Sequence, residues 1–111
     1  MDKLLTRDAD KMLCEIYAAY LERRKSGISK ALAKSFFDQS KWSEKYSDSW
    51  HEADARDTLR ELKNAGFLKL DICGGFGLQD EAIIYMESRF KNGLNDVLDF
   101  LGKIISAISL V

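Results

Sequence analysis

The sequence predicts a mainly α-helical domain with one small β-hairpin, closed by an amphipathic C-terminal helix. Three observations predict it. Apolar residues recur at helical spacing through most of the chain, and the period switches to two only over residues 67–79, around Gly74-Gly75. There is no proline among the 111 residues, so helices run without forced breaks and turns fall to Gly, Asn, Asp and Ser. Hydrophobic residues make up 46% and charged residues 32%, which suits one soluble domain with one modest core.

Thr6 is placed to cap a first helix, with Asp8 near its positive end. Leu13, Ile16, Tyr17, Tyr20 and Leu21 form its apolar stripe, and Ser26-Gly27 stops it after Arg23, Arg24 and Lys25. A second helix is expected over Ser29–Phe37, with Ile28, Leu32 and Phe36 on one face. Residues 38–48 read either as a loop or as an extra helical turn. Trp42 and Tyr46 are expected to lie over the core edge. Ser49-Trp50-His51-Glu52 reads as a capping box, with Ser49 as N-cap and Trp50 as a staple. The third helix then runs to about Asn64, buries Ala55, Leu59 and Leu62, and ends at Gly66 in a left-handed conformation.

In residues 67–72, Leu68, Leu70 and Ile72 fall on one side of a strand. Gly74-Gly75 makes the turn, and Phe76–Gln79 returns. Asp80 is expected to cap a fourth helix carrying Ile83, Ile84, Met86 and Phe90, and Asn92-Gly93 breaks it. Leu94, Val97, Leu98, Leu101, Ile104, Ile105 and Ile108 then form an a/d-like seam. The chain thus divides into a domain over 1–92 and an oligomerisation element over 93–111.

The order of helices and strands, with Leu59, Leu62, Gly66, Phe67 and Leu68 at the end of the third helix, resembles winged helix-turn-helix proteins. The likeness is to uncharacterised bacterial and phage winged-helix domains and, more distantly, to PadR-like and MarR-like regulators. It spans roughly residues 7–90 and specifies a fold more than a function. It implies a third helix lying in a DNA major groove, a hairpin against the backbone or minor groove, and dimerisation through a C-terminal helix. Gln79 stands where that family usually has Thr.

Arg56, Arg60 and Lys63 form a basic stripe on the third helix, and Lys41 and Lys45 interleave with Trp42 and Tyr46 before it. These five are the candidate contacts to double-stranded DNA. Against them stand the net charge of −1, the carboxylates Asp54, Asp57 and Glu61 on the same helix, and a hairpin tip without Lys or Arg. Two functions follow: a dimeric DNA-binding regulator, or a protein-interaction and assembly module that does not bind DNA.

An enzyme is not expected. His51, the one histidine, has no nucleophile or carboxylate pair patterned around it, and the glycines lack phosphate-loop spacing. No cofactor or metal site is expected, since Cys14 and Cys73 stand far apart without a CxxC partner. Unbridged cysteines and the absence of a signal-like N-terminus point to the cytoplasm. The uncharged run at the C-terminus falls short of the ~20 residues of a membrane span, so a membrane location would require the chain to be a fragment.

Overall fold

The computed structural model describes residues 5–38, 42–43 and 45–109, with side chains on the last helix described through Ile104. The fold is mainly helical with a small antiparallel sheet. Helix α1 (Arg7–Lys25) lies at its centre and packs against α2 (Lys30–Ala33), α3 (Glu52–Asn64), α4 (Asp80–Arg89) and α5 (Leu94–Ser109). Its central position follows from its composition: Ala9, Met12, Leu13, Ile16, Tyr17 and Ala18 are all buried, a face too wide for a surface helix.

Local chemistry sets the helix ends. Thr6 Oγ1 accepts from Ala9 N at 3.1 Å and starts α1. At its end, Ile28 N donates to Arg23 O and Gly27 N to Arg24 O, with Gly27 at φ 94°. The same motif closes α3: Phe67 N donates to Leu62 O and Gly66 N to Lys63 O, with Gly66 at φ 86°.

Three strands form the sheet: β1 (Ser35–Phe36), β2 (Leu68–Leu70) and β3 (Phe76–Leu78), in the order β1-β3-β2. Leu68 faces Leu78 and Leu70 faces Phe76, while on the other side of β3 Phe36 faces Phe76. The Phe36 and Phe76 rings stack at 4.9 Å. Arg23 secures β1 from α1: its guanidinium lies over the Phe36 ring and donates to Ser35 O at 2.7 Å.

Four expectations are corrected. The second helix does not reach Phe37. It stops after one turn, because Lys34 O accepts from Leu78 N and the next two residues pair with β3. Phe36 is therefore buried in a strand, while Ile28 and Leu32 stay exposed. Strand β2 ends at Leu70, since Asp71 N donates to Gly75 O and Gly74 N returns to Asp71 O, closing the turn early. Ile72 stands fully in solvent, with a relative exposure of 105%. The N-cap of α3 is His51, whose Nδ1 accepts from Ala53 N at 3.3 Å. Ser49 cannot serve, because it lies in a 3-10 turn over Ser47–Ser49 and its hydroxyl donates to Tyr46 O. The N-cap of α4 is Gln79, and Asp80, its first residue, pairs with Lys34 at 3.0 Å instead.

The expected seam on α5 is used within the chain. Val97 and Leu101 belong to the same buried cluster as Met12, Leu59 and Met86, and Leu94, Leu98 and Ile104 are half-buried. Residues 94–104 are thus continuous with the core of residues 5–92. Ile105 and Ile108 lie outside the described side chains. Arg89 ties this corner together: it donates to both oxygens of Asp10 on α1 and lies over Phe90 and over Phe100 of α5. No helix among the described residues is long and apolar enough to cross a membrane.

Candidate interaction face

The residues expected to touch DNA lie on α3 and on the segment before it. A buried polar anchor positions this region. Trp50, half-buried just before α3, donates its indole N–H to Glu15 Oε1 of α1 at 2.7 Å. The second oxygen of Glu15 accepts from Lys11 Nζ at 3.0 Å, and that ammonium lies over the Trp50 ring. Glu15 is only 2% exposed, and its burial pushes the carboxyl above its ordinary value of 4.5 against the opposing pull of Trp50 and Lys11. A second tether comes from Glu61, whose carboxylate accepts from the Thr6 amide at 3.0 Å and from its hydroxyl at 2.8 Å. Both tethers hold α3 against α1 from positions the helix pattern alone does not connect.

The structure separates the five candidate cations. Arg56 is exposed but pairs with Glu52 one turn away, at 3.2 Å. Arg60 and Lys63 are exposed, and among the described residues no ion pair engages them. Lys45 turns to α1, with its ammonium 3.7 Å from Glu22 and over the Tyr46 ring. Lys41 lies outside the described residues. Trp42 and Tyr46 are buried and stacked at the core edge, as expected of them.

The exposed face of α3 carries Glu52, Asp54 and Asp57 beside Arg56, Arg60 and Lys63, so neither sign prevails. Between the start of α3 and the hairpin tip lies a cleft of about 510 Å³ lined by Asp38, Asp48, Trp50, Glu52, Arg56 and Gly74 among others. Sequence reasoning missed this cleft. Its carboxylates come from three separate segments, and only the folded turn over Ser47–Ser49 and the closeness of the hairpin to β1 bring them together. The hairpin tip adds no cation: it presents Asp71, Ile72 and Cys73, all exposed. Phe37, at the end of β1 beside that tip, is 83% exposed.

The two thiols differ sharply. Cys14 is buried, and desolvation pushes its thiol up to about 12, whereas Cys73 is exposed on the tip. Among the described residues, no group of three or more His, Cys, Asp or Glu side chains could hold a metal ion. The His51 imidazole caps a helix through Nδ1.

No family model, curated protein or solved structure matches the chain.

Proposed function

We propose that this chain is a winged-helix module that works by protein contact, in the cytoplasm, rather than by gripping duplex DNA. The sheet order β1-β3-β2, with α3 leading through Gly66 into the β2–β3 hairpin, supports the winged-helix assignment. One observation carries the function: the face that would meet DNA is electrically mixed, and the hairpin tip beside it carries an exposed carboxylate, Asp71, and an exposed Ile72 but no cation. Three carboxylates, Glu52, Asp54 and Asp57, lie among the cations of α3, the adjoining cleft adds Asp38 and Asp48, and Ile72 and Phe37 project into solvent. Phosphate binding draws its affinity from clustered cations, whereas large exposed side chains at one spot are typical of protein contacts.

Fluorescence anisotropy with a labelled duplex of mixed sequence at low salt tests this reading, and no saturable binding is the expected result. Arg60 and Lys63, exposed and without ion pairs among the described residues, support the second reading, a DNA-binding regulator. Salt-sensitive duplex binding that disappears in an Arg60→Ala/Lys63→Ala variant would establish that second reading and overturn the first.

A further inference from the structure

The two margins of the three-stranded sheet differ. At the β1 margin the ladder turns Ser35 away from β3, and Arg23 takes the Ser35 carbonyl at 2.7 Å. At the β2 margin the alternation can be traced from both ends of the strand. Gln79 N donates to Phe67 O, and Asp71 N donates to Gly75 O, so residues 67, 69 and 71 turn their backbone groups towards β3. The N–H and C=O of Leu68 and Leu70 therefore point outward. Leu68 is only 2% exposed, so its end of the margin is covered. Leu70 is half-buried, and among the described residues no hydrogen bond engages its outward backbone groups.

The open stretch carries charges that the fold does not use. Lys69 and Asp71 are both exposed, and the pleat puts them on one side of the strand. Among the described residues no ion pair engages either. Read forwards, the stretch is cation, leucine, carboxylate. Read backwards, the signs exchange about Leu70. The stretch is thus complementary to its own reverse, and an antiparallel second copy supplies that reverse.

Only one register suits both the charges and the open backbone. A twofold axis at Lys69 would set two ammonium groups opposite each other and would need the covered edge of Leu68. An axis at Asp71 would oppose two carboxylates. An axis at Leu70 opposes Lys69 to Asp71 twice and uses the backbone groups that point outward. Nor is the core-facing side of α5 free to pair with another chain, since Val97 and Leu101 are buried against the molecule's own core.

We infer that two copies of this chain pair antiparallel along β2, about a twofold axis at Leu70. This rests on the protein-contact reading above. Each Leu70 donates its N–H to the carbonyl of the other, and each Lys69 faces the Asp71 of the other copy across the strands. Beyond Asp71 the chain turns into the hairpin tip, so each strand leaves the margin where the other copy's Leu68 is covered. The exposed Ile72 of each tip comes to lie at that end. The contact is isologous and small, which makes the dimer a weak one. It joins the two sheets into one whose outer margins are both closed by Arg23, so assembly stops at two.

Sedimentation velocity over a range of concentrations at low salt tests this. The native protein is expected to pass from monomer to dimer and to grow no further. Lys69→Asp opposes carboxylates at both pairs, and Asp71→Lys opposes ammonium groups. Each alone is expected to dimerise about tenfold more weakly or less well still. Mixed in equal amounts, the two variants restore both pairs, and the expected product is a one-to-one dimer. The double swap Lys69→Asp/Asp71→Lys is expected to dimerise as the native protein does. Both side chains are exposed and unpaired among the described residues, and circular dichroism checks that each variant folds. Hydrogen exchange reads the backbone directly: the Leu70 amide should exchange more slowly in concentrated than in dilute native protein. A native protein still monomeric at about 1 mM overturns the inference, as does growth beyond a dimer. Association indifferent to the single swaps, or not restored by the mixture and the double swap, overturns it too. If duplex DNA is also not bound, the protein-contact reading survives that failure. Saturable duplex binding overturns the reading itself.

Discussion

Truncating Leu101 to alanine should destabilise this protein to the same extent at every protein concentration. Leu101 is 3% exposed and lies on the face of α5 that packs against α1. Removing a leucine side chain from such a site costs about 2–5 kcal/mol, through lost transfer energy and the cavity left behind. A domain of this size has a total stability of roughly 5–15 kcal/mol, so the loss is a large fraction of the whole. At about 4 °C per kcal/mol, Tm should fall by about 8–20 °C. Thermal unfolding followed by circular dichroism at high ionic strength, at two widely separated protein concentrations, measures it. The Tm difference between native and variant protein should be the same at both. A fall of less than about 3 °C would refute the argument. So would a difference seen only in the concentrated sample, because α5 would then be stabilised by a neighbouring molecule and not by its own core. Leu98→Ala, at a half-buried site, should cost clearly less.

Three further outcomes follow from the same structure. Glu15 holds its proton more tightly folded than unfolded, so its contribution to stability falls as pH rises from 4.5 through its raised folded value. Urea titrations across that interval should therefore show Glu15→Gln gaining on the native protein as pH rises, and a trend in the opposite direction would exclude burial as the dominant influence on this carboxyl. Gly75→Ala forces a methyl to within 2.6 Å of Phe36 O and should cost about 1–3 kcal/mol, whereas Gly77→Ala, whose nearest neighbour is 4.0 Å away, should stay within about 0.5 kcal/mol of native. Equal effects in chemical denaturation would show that the tip does not rest on β1. A thiol reagent should modify Cys73 alone in the folded protein and reach Cys14 only on unfolding, and two rapidly reacting thiols in native buffer would contradict the burial of Cys14.

The sequence predicted those parts of the fold whose cause is local. Thr6, Gly27 and Gly66 act through bonds within a few residues, so α1 and α3 end where composition places them. The hairpin and α5 follow from periodicity for the same reason. Strand β1 does not: two residues carry no readable period, and Ser35-Phe36 becomes a strand only because β3 lies alongside it. His51 replaces Ser49 as the cap because Tyr46 O takes up the serine hydroxyl, a competition that the capping pattern does not encode. The candidate site divides in the same way. The Glu52–Arg56 pair is readable at i, i+4. The engagement of Glu61 by Thr6, fifty-five residues away, and of Lys45 by Glu22 is set by tertiary packing. So is the convergence of Asp38, Asp48 and Glu52 around one cleft.

Arg23 has a consequence for how this protein tolerates crowding. The Ser35 carbonyl points away from β3, where an incoming strand would otherwise find an acceptor, and the Arg23 guanidinium already occupies it. The bare backbone of a sheet margin is where fibrils and swapped dimers begin, and a charged side chain laid across it blocks that route. On this side the sheet is closed to templated growth by one arginine reaching over from the central helix. Arg23→Ala would do more than loosen a contact. It would reopen the margin, and the cost would show as slow aggregation on storage as well as a lower melting temperature.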